Sequence, residues 1–219
     1  GSAEEQVESQ PILRVEVRPR SFEVPPMSSQ VGANFGDEIM LLGFDFPERR
    51  VKPGGALPIT LYWQALRPMA RHYVVSNHLL NSADLRQWGG RDRVPKDYYS
   101  TTLWTPGEVV RDDYLVPVFP DAPPGVYRLD VGLYVEVAGQ AYSVPLVKEG
   151  KALDANNVTI ASIKVGGPPL GVTVEKPAPQ VPRADNLGGF VTLLGYNLWL
   201  EPEMLNLTLY WRCDVRLPA

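Results

Sequence analysis

One polar stretch of the sequence combines an aromatic ring with several charged and hydrogen-bonding side chains. It reads Leu85-Arg-Gln-Trp-Gly-Gly-Arg-Asp-Arg93, and two adjacent tyrosines follow it closely. Flat aromatic rings stack on the apolar faces of sugars, and ligand-contacting residues concentrate on connecting segments of this kind. The candidate ligand-binding residues of this region are Trp88, Arg91, Asp92, Tyr98 and Tyr99. The alternative is an ordinary loop whose indole ring packs on the protein core.

Other aromatic side chains are candidates for sugar stacking, and they differ in their setting. Trp63 lies between apolar neighbours in a strand-like segment, so we expect it in the core. Trp104 precedes a Pro-Gly turn, which suggests a structural plug at one end of a domain. Tyr134 and Tyr142 are additional candidates for the binding surface.

Paired carboxylates would indicate a glycosidase, which needs two of them about 5–10 Å apart. Asp112 and Asp113 are adjacent in a strand-like segment, so we expect them to point to opposite faces and to be solvated charges. The sequence has no Gly-x-Ser-x-Gly motif, and no serine or acid at a turn accompanies His72 and His78. No oxygen-rich loop has the ligand spacing of a calcium site. We therefore predict no catalytic residue, no metal site and no cofactor, and we do not expect the chain itself to be an enzyme.

The overall charge argues against nucleic acid as a partner. The formal net charge is −4, and the lysines and arginines are scattered, so no basic surface is available for phosphates. Cys213 is the single cysteine, which excludes an internal disulfide. No run reaches the roughly 18 apolar residues of a membrane helix, and the first residues lack the pattern of a signal peptide. Membrane contact is therefore expected only through a parent protein.

The candidate residues must be positioned by β-strands, because proline and glycine interrupt most stretches long enough for a helix. The chain has 22 prolines and 19 glycines. Between them lie short segments with alternating apolar and polar residues, or with many β-branched and aromatic residues. The predicted strands are Leu13–Val17, Ile39–Phe46, Leu57–Leu66, Tyr73–Leu80, Glu108–Val116, Val126–Tyr134, Ala141–Val147 and Asn157–Val165.

This strand spacing predicts the fold class. About eight strands in roughly 150 residues are typical of an immunoglobulin-like two-sheet sandwich. The segment Pro124-Gly-Val-Tyr127 places a tyrosine at the start of a late strand. Its hydroxyl can bond back to the preceding turn, as in a tyrosine corner, and a simple core or rim tyrosine is the alternative.

The strongest pattern in the sequence is an internal repeat. Leu41-Leu-Gly-Phe-Asp-Phe46 recurs 152 positions later as Leu193-Leu-Gly-Tyr-Asn-Leu198. Ile59-Thr-Leu-Tyr-Trp-Gln64 recurs 148 positions later as Leu207-Thr-Leu-Tyr-Trp-Arg212, so the connecting turn is shorter in the second copy. Order, spacing and residue type agree, which predicts a truncated second sandwich.

These patterns divide the chain into four parts. Residues 1–11 are expected to form a flexible start whose Gly1-Ser2 resembles the remnant of a cleaved tag, and residues 12–165 form the complete sandwich. A Gly/Pro linker spans residues 166–169, and residues 170–219 form the partial second repeat. Because a few strands alone cannot bury their apolar face, we expect the partial repeat to pack on the first domain or, as a homodimer, on a second copy of the chain.

Several motifs of the chain resemble a known module. They are Leu41-Leu-Gly-Phe44, Pro53-Gly-Gly55, Leu61-Tyr-Trp-Gln-Ala65, His78-Leu-Leu80, Trp104-Thr-Pro-Gly-Glu108 and Pro123-Pro-Gly-Val-Tyr-Arg-Leu-Asp-Val-Gly-Leu-Tyr134. Together they resemble the soluble β-sandwich module attached to some bacterial multi-spanning membrane glycosyltransferases of the dolichyl-phosphate-mannose-dependent mannosyltransferase type. The resemblance covers most of residues 35–146 and again residues 187–212, and it does not include the catalytic membrane region of that family.

The resemblance implies an extracytoplasmic location, on the outer side of a bacterial cytoplasmic membrane and near lipid-linked sugars or glycoproteins. The expected function is that of a non-catalytic accessory or binding module of a larger cell-envelope protein. Its expected partners are a glycan, a glycoprotein or a neighbouring domain of the parent chain. A purely structural spacer without a ligand is the first alternative, and a fragment of a carbohydrate-active enzyme is the second.

Overall fold

The computed structural model describes residues 19–82, 84–167, 178–201 and 204–215. Regular structure in these residues is almost entirely β, which confirms the predicted all-β class, while the immunoglobulin-like type and the truncated second copy stay predictions. The strands are β1 (Ser29–Phe35), β2 (Ile39–Asp45), β3 (Arg50–Val51), β4 (Ala56–Ala65), β5 (Val74–Asn81), β6 (Gln87–Gly90), β7 (Val109–Pro117), β8 (Gly125–Val137), β9 (Gln140–Ser143), β10 (Leu146–Lys148), β11 (Lys151–Ala152), β12 (Asn157–Val165), β13 (Val181–Leu187), β14 (Val191–Glu201) and β15 (Met204–Cys213).

Most predicted strands coincide with observed ones, with one informative exception. The segment predicted as a single strand, Ala141–Val147, is divided between β9 and β10. These two strands belong to different sheets, because β9 pairs with β8 and β10 pairs with β1. Pro145, which has no N–H to donate, lies where the chain crosses between them. The predicted strand Leu13–Val17 lies outside the described residues.

Residue contacts divide the chain into two compact units, residues 1–167 and 168–219. In the first unit, one sheet has the strand order β11-β10-β1-β2-β4-β7 and the other has the order β3-β12-β8-β5-β6, with β9 beside β8. The apolar faces of the two sheets enclose one core, as expected of a sandwich. Its largest completely buried side chains include Phe35, Leu41, Leu57, Leu61, Trp63, Leu79, Tyr127, Leu129 and Ile163.

Strand β7 shows how alternation along a strand builds this core. Tyr114 and Val116 are at most 3% exposed, whereas Leu115 between them is 58% exposed. Asp112 shares the inward face and is completely buried, so the expectation of a solvated charge at this position is wrong. The alternation that turns Tyr114 inward turns Asp112 inward as well, and Asp113 points to solvent.

The buried carboxylate of Asp112 is paired with Arg93. Nη2 of Arg93 donates to Oδ1 of Asp112 at 2.8 Å and to the carbonyl oxygen of Asp113 at 2.6 Å. The guanidinium carbon of Arg93 lies 3.7 Å from the centroid of the Tyr114 ring. Burial raises the pKa of Asp112, while the charge of Arg93 and the backbone N–H of Lys96 oppose that rise. The pair therefore holds β7 and the segment after β6 together inside the core.

The hydroxyl of Tyr127 joins β8 to the turn before it. Tyr127 is completely buried, and its hydroxyl donates to the carbonyl oxygen of Pro123 at 2.7 Å. This is the bond that the tyrosine-corner interpretation predicts. The ring fills the core while its polar end is satisfied by the turn.

The second unit contains, among its described residues, one sheet with the order β13-β14-β15. Its pairing follows that of β1, β2 and β4 in the first unit, including a bulge at the same place in each strand pair. The equivalent partners across β2–β4 and β14–β15 are Leu41–Trp63 and Leu193–Trp211, then Gly43–Tyr62 and Gly195–Tyr210. The two units therefore have the same strand pairing, at the offsets of the sequence repeat.

The two units also correspond in their side-chain hydrogen bonds. Asp45 accepts from the backbone N–H of Ser28 at 2.6 Å and from the hydroxyl of Tyr62 at 2.7 Å. In the second unit, Asn197 accepts from the backbone N–H of Gln180 at 2.7 Å and donates to the hydroxyl of Tyr210 at 2.8 Å. An amide offers both an acceptor and a donor, so asparagine replaces aspartate without loss of either bond.

The inward face of β4 is buried, whereas the equivalent face of β15 in the second unit is exposed. Four inward side chains of β4 are at most 3% exposed, whereas their equivalents in β15 are 43–59% exposed. The first set is Leu57, Ile59, Leu61 and Trp63, and the second is Leu205, Leu207, Leu209 and Trp211. In the described residues of the second unit, no second sheet covers this face. A homodimer through the partial repeat stays a prediction.

Candidate ligand-binding groove

Trp88, the aromatic residue at the centre of the predicted binding stretch, lies in β6 and is half-buried. Its ring packs against the hydrophobic core, and the guanidinium carbon of Arg86 lies 5.1 Å from the ring centroid. Its indole N–H is buried, and no hydrogen-bond partner for it occurs in the described part of the chain. The packing of the ring agrees with the alternative given above, but the residue lies in a strand and not in a loop.

The other predicted residues separate into two grooves. Asp92 lines a groove of about 870 Å³, whereas Tyr98 and Tyr99 line a second one of about 610 Å³. Arg91 belongs to neither, and its guanidinium binds the carboxylate of Asp97 at 3.1 Å. The five predicted residues therefore do not meet at one site, because neighbours in an extended segment point in alternating directions.

The larger groove lies where β5, β8 and β9 meet the extended segment that follows β6. Val74 of β5 pairs with Tyr134 of β8, and Tyr142 of β9 faces the next residue of β8. The segment after β6 is tied to β5 by a bridge between Val75 and Arg93. The hairpin of β8 and β9 thereby brings two tyrosines to the groove, and β5 and the segment after β6 contribute its other residues.

Charged side chains accompany the two tyrosines. Arg71, Asp92 and Glu136 also line the groove, and the side chain of Tyr142 is 49% exposed. Burial raises the pKa of Tyr134, and the charges of Asp92 and Glu136 add to that rise. The Tyr134 hydroxyl therefore stays protonated at neutral pH and remains a hydrogen-bond donor. The groove offers ring surfaces with donors and acceptors beside them.

The carboxylate of Asp92 is oriented by a histidine of β5. Nε2 of His78 lies 3.0 Å from Oδ1 of Asp92. This hydrogen bond is the largest cause of a raised His78 pKa, which burial of the ring opposes. The charges of Asp92 and of Asp130, the cross-strand partner of His78, contribute to the same rise.

We expect Asp92→Asn to lower the pKa of His78 in an NMR titration of the imidazole protons. In the native protein that pKa lies above the ordinary 6.5. The protonated ring therefore stabilises the fold at low pH, and this contribution disappears as the pH rises through the folded-state pKa. Asp154→Asn, at an exposed position before β12, is the control and should leave the titration unchanged. An unaltered His78 titration in Asp92→Asn would contradict the assigned pairing.

Two of the charged groove residues, Arg71 and Glu136, are not among the residues predicted from the sequence. Glu136 lies two residues after Tyr134 in β8, so the two-residue period of a strand was an available signal. Arg71 precedes β5, and no local pattern marks it. Its place at the groove depends on the pairing of β5 with β8.

Residues 19–82, 84–167, 178–201 and 204–215 contain no group of three or more His, Cys, Asp or Glu side chains placed to hold a metal ion. Over the same ranges, no helix combines the length and hydrophobicity needed to cross a membrane.

No protein-family model matches the chain. No curated protein matches it either. The functional assignment therefore rests on the grooves and on the sequence motifs.

Proposed function

We propose that the first unit is a non-catalytic binding module of a larger extracytoplasmic protein and that its larger groove contacts a glycan. The supporting observation is that Tyr134 and Tyr142 line one groove together with Arg71, Asp92 and Glu136. A sugar ring stacks its apolar face on a tyrosine while its hydroxyl groups bond to the neighbouring carboxylate and guanidinium groups. The groove of about 870 Å³ falls within the size range of known small-molecule sites.

The acceptor in this groove is fixed before a ligand arrives. Oδ1 of Asp92 is hydrogen-bonded to Nε2 of His78 at 3.0 Å, and this bond fixes the orientation of the second carboxylate oxygen. A group that is already ordered loses less conformational entropy on binding. This favours recognition of a particular arrangement of sugar hydroxyl groups over general adhesion.

The proposed setting is the outer side of a bacterial cytoplasmic membrane, beside a multi-spanning glycosyltransferase of the parent protein. It is supported by the resemblance of the motifs around Leu41–Phe44, Trp104–Glu108 and Pro123–Tyr134 to the sandwich modules of such enzymes. In this setting the module positions a glycan or glycoprotein while catalysis takes place elsewhere in the parent protein.

We expect Tyr142→Ala to weaken glycan binding about tenfold, which corresponds to ~1.4 kcal/mol. The reason is the loss of a half-exposed ring that a sugar can stack on. A glycan array identifies the ligand of the native protein, and calorimetric titration measures its affinity for each variant. Tyr142→Phe keeps the ring and should retain most of the affinity.

The matched control is Phe119→Ala, which removes a similarly exposed ring from outside both grooves. Equal affinity in Tyr142→Ala and the native protein would contradict the proposed site. Absence of binding to every glycan tested would favour the second candidate function, a structural spacer. One observation already favours that alternative, since Trp88 packs on the core instead of projecting from it.

A further inference from the structure

The turn after the segment that follows β6 has an unusual backbone. Lys96 and Asp97 are consecutive, and both have left-handed conformations, with φ values of 56° and 66°. Residues with a Cβ atom rarely adopt this region, because the Cβ atom comes too close to the following carbonyl oxygen. Glycine or asparagine at these positions would relieve much of that strain. Conformational strain retained in a native protein is often associated with a functional site.

Contacts to the protein interior hold this turn in place. The backbone N–H of Lys96 donates at 2.9 Å to Oδ1 of Asp112, which is completely buried. The carboxylate of Asp97 binds Arg91 at 3.1 Å and Arg93 at 3.5 Å. The side chains on either side of Asp97 are therefore presented from a fixed position.

These two side chains, Lys96 and Tyr98, line the smaller groove of about 610 Å³. Tyr98 is 69% exposed, which is more than any other tyrosine of the described residues. The ammonium group of Lys96 forms no ion pair with another described residue. The turn thus presents an unpaired cation and an aromatic ring side by side.

The remaining charges of the smaller groove are also mainly positive. Arg20 and Arg111 line it as well, and its carboxylate belongs to Glu108, which is 3% exposed. Glu108 is already engaged, because it accepts from the hydroxyl of Tyr99 at 2.8 Å and lies 3.7 Å from Nε of Arg20. Arg111 shares its charge with the exposed carboxylate of Asp113 at 3.1 Å. The groove is therefore a local positive site on a chain with a net charge of −4.

We propose that this smaller groove binds an acidic sugar, meaning a saccharide that carries a carboxylate or a phosphate group. The anion pairs with Lys96 and the adjacent arginines, and the ring face of the sugar stacks on Tyr98. This site is separate from the larger groove and would add recognition of charge to the proposed glycan-binding function. The strained turn is retained because it presents the lysine and the tyrosine together.

The test is calorimetric titration of the 219-residue protein at low ionic strength. The probes are a uronate-containing tetrasaccharide, mannose 6-phosphate, neutral cellotetraose and inorganic phosphate. Lys96→Asn removes the charge but tolerates the left-handed conformation, and Lys96→Arg keeps the charge. Lys151→Asn removes an exposed lysine of β11, outside both grooves, and is the control.

We expect Lys96→Asn to weaken binding of the uronate or of the sugar phosphate about tenfold and to leave the thermal midpoint equal or higher. Lys151→Asn should bind as the native protein does, and Tyr142→Ala should retain its affinity for the acidic probe. The native protein should bind cellotetraose more weakly than the acidic probe at this groove. Equal affinity in Lys96→Asn and native protein, or no binding of either acidic sugar to native protein, would overturn the proposal. Binding of inorganic phosphate as strong as that of the sugar phosphate would overturn the role assigned to Tyr98.

Discussion

Replacing Asp112 by asparagine is expected to lower the free energy of unfolding by about 3–5 kcal/mol. The substitution removes the buried carboxylate that lies 2.8 Å from the guanidinium group of Arg93 and leaves only the exposed carboxylate of Asp97, 3.5 Å away, as its ionic partner. Breaking a buried ion pair by removing one partner is strongly destabilising. It also replaces a charged acceptor of the Lys96 N–H with a weaker one, in a turn that depends on this bond. Chemical denaturation followed by tryptophan fluorescence measures the change.

The adjacent residue provides the control for this substitution. Asp113→Asn removes an exposed carboxylate from the same strand, so its effect should stay below about 1 kcal/mol. The double variant Arg93→Met with Asp112→Leu should recover much of the lost stability, because it removes both charges at once. Similar stability losses in Asp112→Asn and Asp113→Asn would show that the buried pair does not have the role assigned to it.

Gly43→Ala is expected to destabilise the protein by about 3 kcal/mol, toward the upper end of what overpacking usually causes. A Cβ atom at Gly43 would lie 2.2 Å from the carbonyl oxygen of Ser29 and 2.4 Å from Sδ of Met27. The methionine can move aside, but the carbonyl belongs to the start of β1, which is paired with β2, and cannot move without disturbing that pairing. Thermal and denaturant unfolding measure the loss.

Gly125→Ala is the matched control for this substitution. Gly125 also lies in a strand, but an added Cβ would meet only the Tyr127 ring, at the ordinary contact distance of 3.6 Å. We expect a change below about 1 kcal/mol. If the two alanine variants unfold at the same denaturant concentration, close backbone approach at Gly43 is not the reason for a glycine there.

The strands could be predicted because their evidence is local. In β8 the alternation from Tyr127 to Val135 places one apolar residue in every two on the core face, and a window of nine residues contains the whole signal. The same kind of evidence was present for Asp112, since it occupies the inward position between Val110 and Tyr114. The prediction of a solvated charge gave more weight to the residue type than to its position in the alternation.

The larger groove could be predicted only in part, because only part of its evidence is local. Tyr134 and Tyr142, both candidates from the sequence, come together through the hairpin of β8 and β9, whereas Arg71 joins them only through the long-range pairing of β5 with β8. The predicted residues from Trp88 to Tyr99 are close in sequence. In an extended segment, however, neighbouring side chains point in opposite directions. The left-handed turn at Lys96 then changes the direction of the chain before Tyr98 and Tyr99.

The strands β1, β2 and β4 form a unit whose pairing register is set by its own residues. Its second version, β13 to β15, keeps the same partners although its Leu207 and Trp211 are open to solvent. The alignment of these strands therefore depends on features that both units share and not on an opposing sheet. These features are the bulge before Gly43 or Gly195 and the side-chain hydrogen bonds of Asp45 or Asn197. A segment of this kind can be duplicated or moved to another chain while its strand alignment is kept.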